Sequence, residues 1–180
     1  MEVLSRLLKT SLFAVLLLVV FQAEAQEDRK LVTFVIRNAG IGVDGHFKSY
    51  SVTTKFNPDD LANSTLSATI EANTIYTGIK ARDKHLRKKK YFDVENYPQI
   101  KLTSTDITKT DAGYLLKADL TMKKTTRSVE IPFTVITTDE GTTFEGEFSL
   151  DRRDYGVGKN HLVLGDKVRV KIYHWEQAKN

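Results

Sequence analysis

Polar and apolar positions alternate with period two along most of the chain, the pattern of strands buried on one face. In residues 49–57, Tyr50, Val52 and Phe56 fall on one side, with Ser51, Thr53 and Lys55 on the other. In residues 64–73, Leu66, Ala68, Ile70 and Ala72 oppose Thr65, Ser67, Thr69 and Glu71. Tyr114, Leu116, Ala118, Leu120 and Met122 oppose Lys117, Asp119 and Thr121. Val129, Ile131, Phe133 and Val135 form a further face, as do Phe144, Gly146, Phe148 and Leu150, and then Val168, Val170 and Ile172. Two weaker runs, one carrying Phe34 and Ile36 and one starting at Pro98, bring the expectation to about eight strands. Turn residues cluster at 38–45, 57–60, 110–113 and 138–141. Such short connections suit antiparallel neighbours, and no alternation of strand and helix points to a parallel sheet.

One segment breaks the rhythm. Over residues 77–91 helix formers replace the alternation. Ile79, Leu86 and Phe92 share one side with Arg82 or Asp83, and Lys80, Lys84, Arg87 and Lys88 point elsewhere. The proline at 98 forces an extended exit, because the residue before proline avoids the helical region. The expected fold is all-β, with one helix-containing connection around residues 77–91. Strands apolar on one face must pair those faces in a sandwich or close into a barrel, which removes edges. An eight-stranded barrel has room for one small ligand. Ala68, Ala72, Ala118 and Gly146 sit among large residues on the inner faces. They fit a lumen, or a core in which small and large side chains interdigitate.

Composition changes the picture at the N-terminus. Arg6 and Lys9 precede an apolar run at 11–21, and Ala23 and Ala25 place small residues before a cut at Gln26. This is the pattern of a secretory leader, and the run is too short for a spanning helix of roughly 20 residues. Residues 1–25 are therefore expected to be a cleaved signal peptide, and 26–180 a single exported domain, periplasmic or secreted. The absence of cysteine leaves that domain without disulfides or thiolate ligands.

The formal net charge is only +4, low for a nucleic-acid module. The excess is local: seven of the eleven residues from 80 to 90 are Lys or Arg. A solvated helix face and a collar for an anionic head group both account for this run. Exposed aromatics that would suit nucleic acid are lacking around it.

Catalytic patterns are missing. His46, His85, His161 and His174 are scattered without metal-ligand spacing, and neither a nucleophile elbow nor a phosphate loop is present. The glycines at 40, 42 and 45 lead into a strand rather than a helix, which suits a turn or bulge. Glu145 and Glu147 share a polar strand face, and Asp151 and Asp154 flank Arg152 and Arg153 as a self-paired loop. No catalytic residue, metal site or enzyme activity is expected.

Residues 77–100, TGIKARDKHLRKKKYFDVENYPQI, closely resemble the signature segment of the YceI-like family: Thr-Gly, then Arg-Asp-x-His-Leu-Arg, an aromatic pair, Asp-Val and x-Tyr-Pro-x-Ile. Further similarity lies in VDGHFKSYSVTTKFNPDD, in ADLTMKKTTRSVEIPF and in LDRRDYGVG, so the resemblance spans the mature chain. The chain departs from the pattern at Lys124, in its first strand and at Lys88, Lys89 and Lys90; the last departure bears on head-group preference more than on fold. The resemblance implies an antiparallel eight-stranded lipocalin-like barrel that holds a long isoprenoid chain, polyprenyl or quinone-type, for carriage or storage. Phe34, Ile36, Tyr50, Val52, Ile70, Leu116, Leu120, Phe133, Val135, Phe148 and Val170 are then candidates for the lumen wall, each fitting a plain core as well. Arg82, Asp83, His85 and Arg87 are candidates for the mouth, as head-group contacts or as a clamp for the helix. No cofactor is implied beyond the bound lipid, and the expected partners are that lipid and, transiently, a membrane surface, without nucleic acid. A homodimer stays open. The alternative reading is an exported stress-response or interaction protein with a filled core, whose basic helix contacts anionic surfaces.

Overall fold

A computed structural model describes residues 32–178. The leader expected at 1–25 lies outside the described residues. The described chain forms one antiparallel sheet of ten strands: β1 (Val32–Asn38), β2 (Ile41–Phe47), β3 (Tyr50–Lys55), β4 (Thr65–Glu71), β5 (Ile75–Tyr76), β6 (Gln99–Thr110), β7 (Gly113–Met122), β8 (Thr125–Thr137), β9 (Gly141–Asp151) and β10 (Leu164–Gln177). The spatial order is β3-β4-β6-β7-β8-β9-β10-β1-β2-β5. Its long strands twist and coil the sheet into a lipocalin-like half-barrel with its apolar face inward.

Of the two strands beyond the expected eight, β5 is a short pairing at Ile75–Tyr76 and β2 comes from the glycine-rich stretch at 38–45. Only Ala39 and Gly40, both at positive φ, make the turn there, and β2 begins at Ile41. The glycine at 45 serves packing: a Cβ there would lie 2.3 Å from the Phe34 ring, which crosses the backbone of β2. The two-residue β5 pairs with the end of β2. Edges are not abolished as a closed barrel requires, since no ladder joins β3 to β5. Two further backbone bonds only extend existing pairings, Lys48 N to Thr74 O at 3.3 Å beyond the β2–β5 register and Glu71 N to Ser49 O at 3.0 Å beyond the β3–β4 register.

The helix is also shorter than the pattern suggested, spanning Lys80–Leu86. Beyond it, Phe92 N donates to Leu86 O and Val94 N to Arg87 O, folding the chain back on itself instead of extending the helix through three adjacent lysines. Ile79, expected on the buried side, precedes the helix and is exposed, whereas Asp83 is buried.

Two apolar clusters occupy successive levels of the barrel. β7 supplies Leu120 and Met122 to one and Leu116 and Ala118 to the other. The first also packs Leu86 and Phe92 of the helical connection. In the second, Phe56 meets Tyr114, Phe133 and Phe144 edge-on at 5.1, 6.1 and 5.7 Å, an arrangement favoured by the ring quadrupoles.

Candidate functional site

Between these clusters the inward faces do not meet. They line a half-open cavity of about 580 Å³, within the roughly 300–1,000 Å³ of small-molecule pockets. Phe34, Ile36, Ile70 and Phe148 point inward, yet each is only half-buried, because their outer atoms face this space. The barrel therefore has a lumen, in contrast to the filled core of the alternative reading.

Of the residues expected on the wall, Phe34, Ile36, Val52, Ile70, Leu116, Leu120, Phe133, Phe148 and Val170 line the cavity. Tyr50 and Val135 do not. Tyr50 has the right side of its strand but starts the edge strand β3 and is exposed. Val135 lies opposite Phe144 near the end of β8 and packs into the second cluster. Alternation assigns a side chain to a face and says nothing of its level along the barrel. Val43, Leu66, Ile131 and Ile172 also reach the cavity. Leu66, Ile131 and Ile172 were on alternating faces, whereas Val43 was hidden in the stretch read as a turn.

The polar residues expected at the mouth come together at one end, but most are engaged by protein. Asp83 accepts from Thr77 N at 2.9 Å and from Thr77 Oγ1 at 2.5 Å. Arg82 donates through Nε to Thr77 Oγ1 at 2.7 Å and through Nη2 to Thr77 O at 2.5 Å. Both side chains thus grip Thr77, just ahead of the helix, and the expected direct Arg82–Asp83 ion pair does not form among the described residues. Arg87 donates to Asn73 O at 2.6 Å and Ile75 O at 3.0 Å, tying the helix to β5. His85 is exposed, lines the cavity with Arg82, and meets the Tyr91 ring edge-on at 5.1 Å.

A residue the sequence did not single out holds the other side of this mouth. Arg152 is 4% exposed. It donates to Gly165 O at 2.9 Å, Val157 O at 2.8 Å, Lys159 O at 3.1 Å and Asp166 Oδ1 at 2.7 Å. The expected self-pairing of this loop is only partial: Arg153 reaches Asp151 at 3.7 Å, while Asp154 pairs with Arg127 at 3.3 Å. Gly158, at φ +78°, is needed here, since a Cβ would come within 2.6 Å of the Arg152 guanidinium. Nearby, burial lowers the pKa of Lys123 and raises that of Tyr155. Lys123 Nζ donates to Gly156 O at 2.9 Å.

The histidines at 161 and 174 also line the cavity, although nothing in their spacing announced it. His174 stacks on Phe144 at 6.0 Å and lies 3.3 Å from Glu176 Oε1, which accepts from Thr54 Oγ1 across the barrel. Among the described residues no group of three or more His, Asp or Glu is placed to hold a metal ion.

The YceI-like domain model matches residues 24–174. The chain belongs to the YceI-like family. A UPF0312 protein of Photorhabdus laumondii is 36% identical over 85 residues, which make up 47% of this chain and 44% of that protein. With a Yersinia enterocolitica relative matched over 58% of its length, the chain spans about half the length of these two curated relatives. The crystal structure of Burkholderia cenocepacia BcnA superposes with a TM-score of 0.77 at 26% identity, covering 82% of this chain and 96% of that one. A polyisoprenoid binding domain from Saccharophagus degradans, implicated in plant cell wall breakdown, shares the fold with a TM-score of 0.61 at 13% identity, covering 84% and 97%. In this YceI-like chain the signature segment is chiefly architectural: Arg82, Asp83 and Arg87 spend their polar atoms on Thr77, Asn73 and Ile75, and Leu86 and Phe92 pack on the first cluster and line the cavity beside its mouth.

Proposed function

We propose that this protein binds a long isoprenoid lipid in the barrel cavity and, exported by its N-terminal leader, carries or stores that lipid outside the cytosol without chemically altering it. The observation that carries the reading is the unfilled, apolar cavity of about 580 Å³ inside an otherwise well-packed sheet. Natural interiors close-pack, so an apolar space of this size left between inward faces suits an apolar occupant. The name of the Saccharophagus degradans domain points to the same ligand class.

The energetics favour tail over head. At roughly 0.3 kcal/mol per heavy atom, about 20 carbons held in the cavity supply about 6 kcal/mol. An exposed ionic contact at the mouth is worth on the order of 0–1 kcal/mol. The lumen therefore sets affinity, and His85 with the surrounding lysines selects among head groups.

Native mass spectrometry tests this after incubation with a prenyl alcohol, a prenyl pyrophosphate and a quinone. The wild type is expected to retain prenyl lipid. Ala68→Trp is expected to lose it, because Ala68 lines the cavity between Val52 and Leu102 in the register. A wild type that stays empty with all three lipids sinks the proposal.

A further inference from the structure

The mouth of the cavity carries apolar side chains that the lumen does not use. Ile41 is 72% exposed, Leu162 is fully exposed and Val163 is half-exposed. They are not scattered. Ala39 N donates to Val163 O at 2.7 Å, joining the tip of the β1–β2 hairpin to the loop before β10. Gly158 N donates to Lys90 O at 2.9 Å, joining the same loop to the turn after the helix. Asn38, Val43, His161 and Leu164 on one side, and Ala81 and His85 on the other, line the same cavity. The rim is therefore a hairpin tip and a loop tip with apolar ends, continuous with a turn bearing the exposed Lys88, Lys89 and Lys90.

We propose that this rim is a membrane-docking surface: Ile41, Leu162 and Val163 insert into the interface of an anionic bilayer while the lysines contact its head groups. Exposed apolar clusters mark interaction sites, and apolar insertion combined with basic attraction is how peripheral proteins seat on anionic lipid. Protruding tips suit a deformable lipid surface better than a shaped protein partner. The charge balance agrees. Of the carboxylates in the segments forming the rim, Asp83 is held by Thr77, Asp93 is buried and accepts from Asn96, and Asp166 is held by Arg152 and Arg153, which leaves Asp44 and, past the lysine turn, Glu95 exposed against Lys88, Lys89 and Lys90. Docked in this way, the cavity faces the phase in which an apolar ligand dissolves. The inference rests on the lipid reading for its purpose, and on the rim alone for its geometry.

Flotation tests it, with vesicles of phosphatidylcholine alone or in equimolar mixture with phosphatidylglycerol. The full chain is expected to float with the anionic vesicles, less so at high salt, and weakly with the neutral ones. Ile41→Ser combined with Leu162→Ser is expected to lower the partition coefficient at least about tenfold, with an unchanged circular dichroism spectrum because both sites are exposed. Lys88→Gln, Lys89→Gln and Lys90→Gln together are expected to abolish the salt dependence. Undiminished flotation of the Ile41/Leu162 variant overturns the proposal. So does a wild type that floats with neither vesicle, or a solution dimer that the same two substitutions dissociate. A prenyl alcohol delivered from ethanol separates the two readings: the Ile41/Leu162 variant should fill as the wild type does, yet fail to extract the same lipid from vesicles. A wild type that floats as expected but never fills supports docking and removes the lipid reading.

Discussion

Arg152 is the clearest place to test how the mouth is held. Its guanidinium is the common donor to three backbone carbonyls and one carboxylate, and those carbonyls belong to Val157, Lys159 and Gly165, on both arms of the loop that carries Leu162. Replacement by Met keeps the aliphatic packing and removes every donor. Removing one partner of a buried ion pair costs about 3–5 kcal/mol when a bare charge is left behind. Here Asp166 keeps Arg153 at 2.9 Å, so the carboxylate is not orphaned and the loss falls at the low end. About 3 kcal/mol is expected, in line with several carbonyls losing a charged donor at a buried or half-buried site. For a domain of this size that lowers Tm by about 6–12 °C. Urea denaturation monitored by Trp175 fluorescence measures the global loss, and hydrogen exchange over residues 157–165 measures whether the loop detaches first. A stability loss below about 1 kcal/mol with unchanged exchange would refute the assignment of Arg152 as the hook of this loop.

Three further outcomes follow from the same reasoning. Asp83→Ala should cost about 2–3 kcal/mol, more than Arg82→Ala, because Asp83 is buried and makes two bonds to Thr77 whereas Arg82 is half-buried; the reverse order in urea melts would move the clamp to the arginine. Gly45→Ala should destabilise by collision with Phe34, and Phe34→Ala should relieve much of it, giving a coupling of about 1–3 kcal/mol in a double-mutant cycle; strictly additive effects would refute the collision. At alkaline pH, the raised pKa of Tyr155 means that the unfolded chain loses its proton first, so this group lowers stability as pH rises above the ordinary tyrosine value. Lys123, with its lowered pKa, acts in the opposite sense, gaining stability toward the ordinary lysine value. Tyr155→Phe should therefore flatten the alkaline fall in Tm, and an unchanged profile would show that Tyr155 does not titrate differently on folding.

The sequence by itself determined the all-β class, the antiparallel pairing, the helical interruption and most of the lumen wall, since a period-two pattern specifies which face of each strand is buried. It also marked the segment that seats the helix, through the types and spacing of residues 77–100. What it did not show follows from physics that is not local. Strand β2 was masked by its glycines, and the role of the one at 45 appears only once the Phe34 ring lies across it. Tyr50 and Val135 have the right parity and the wrong level, because stagger along the barrel is set by pairing between distant strands. Arg152 reads as one of two adjacent arginines in a charged loop, and its burial depends on carbonyls brought to it by the loop and by β10. Whether the inner faces meet or stand apart was open in the sequence, because the same small and large residues serve both. Pairing between distant strands decided it: the curl of the paired sheet leaves a cavity between the inward faces beside the levels where they do meet.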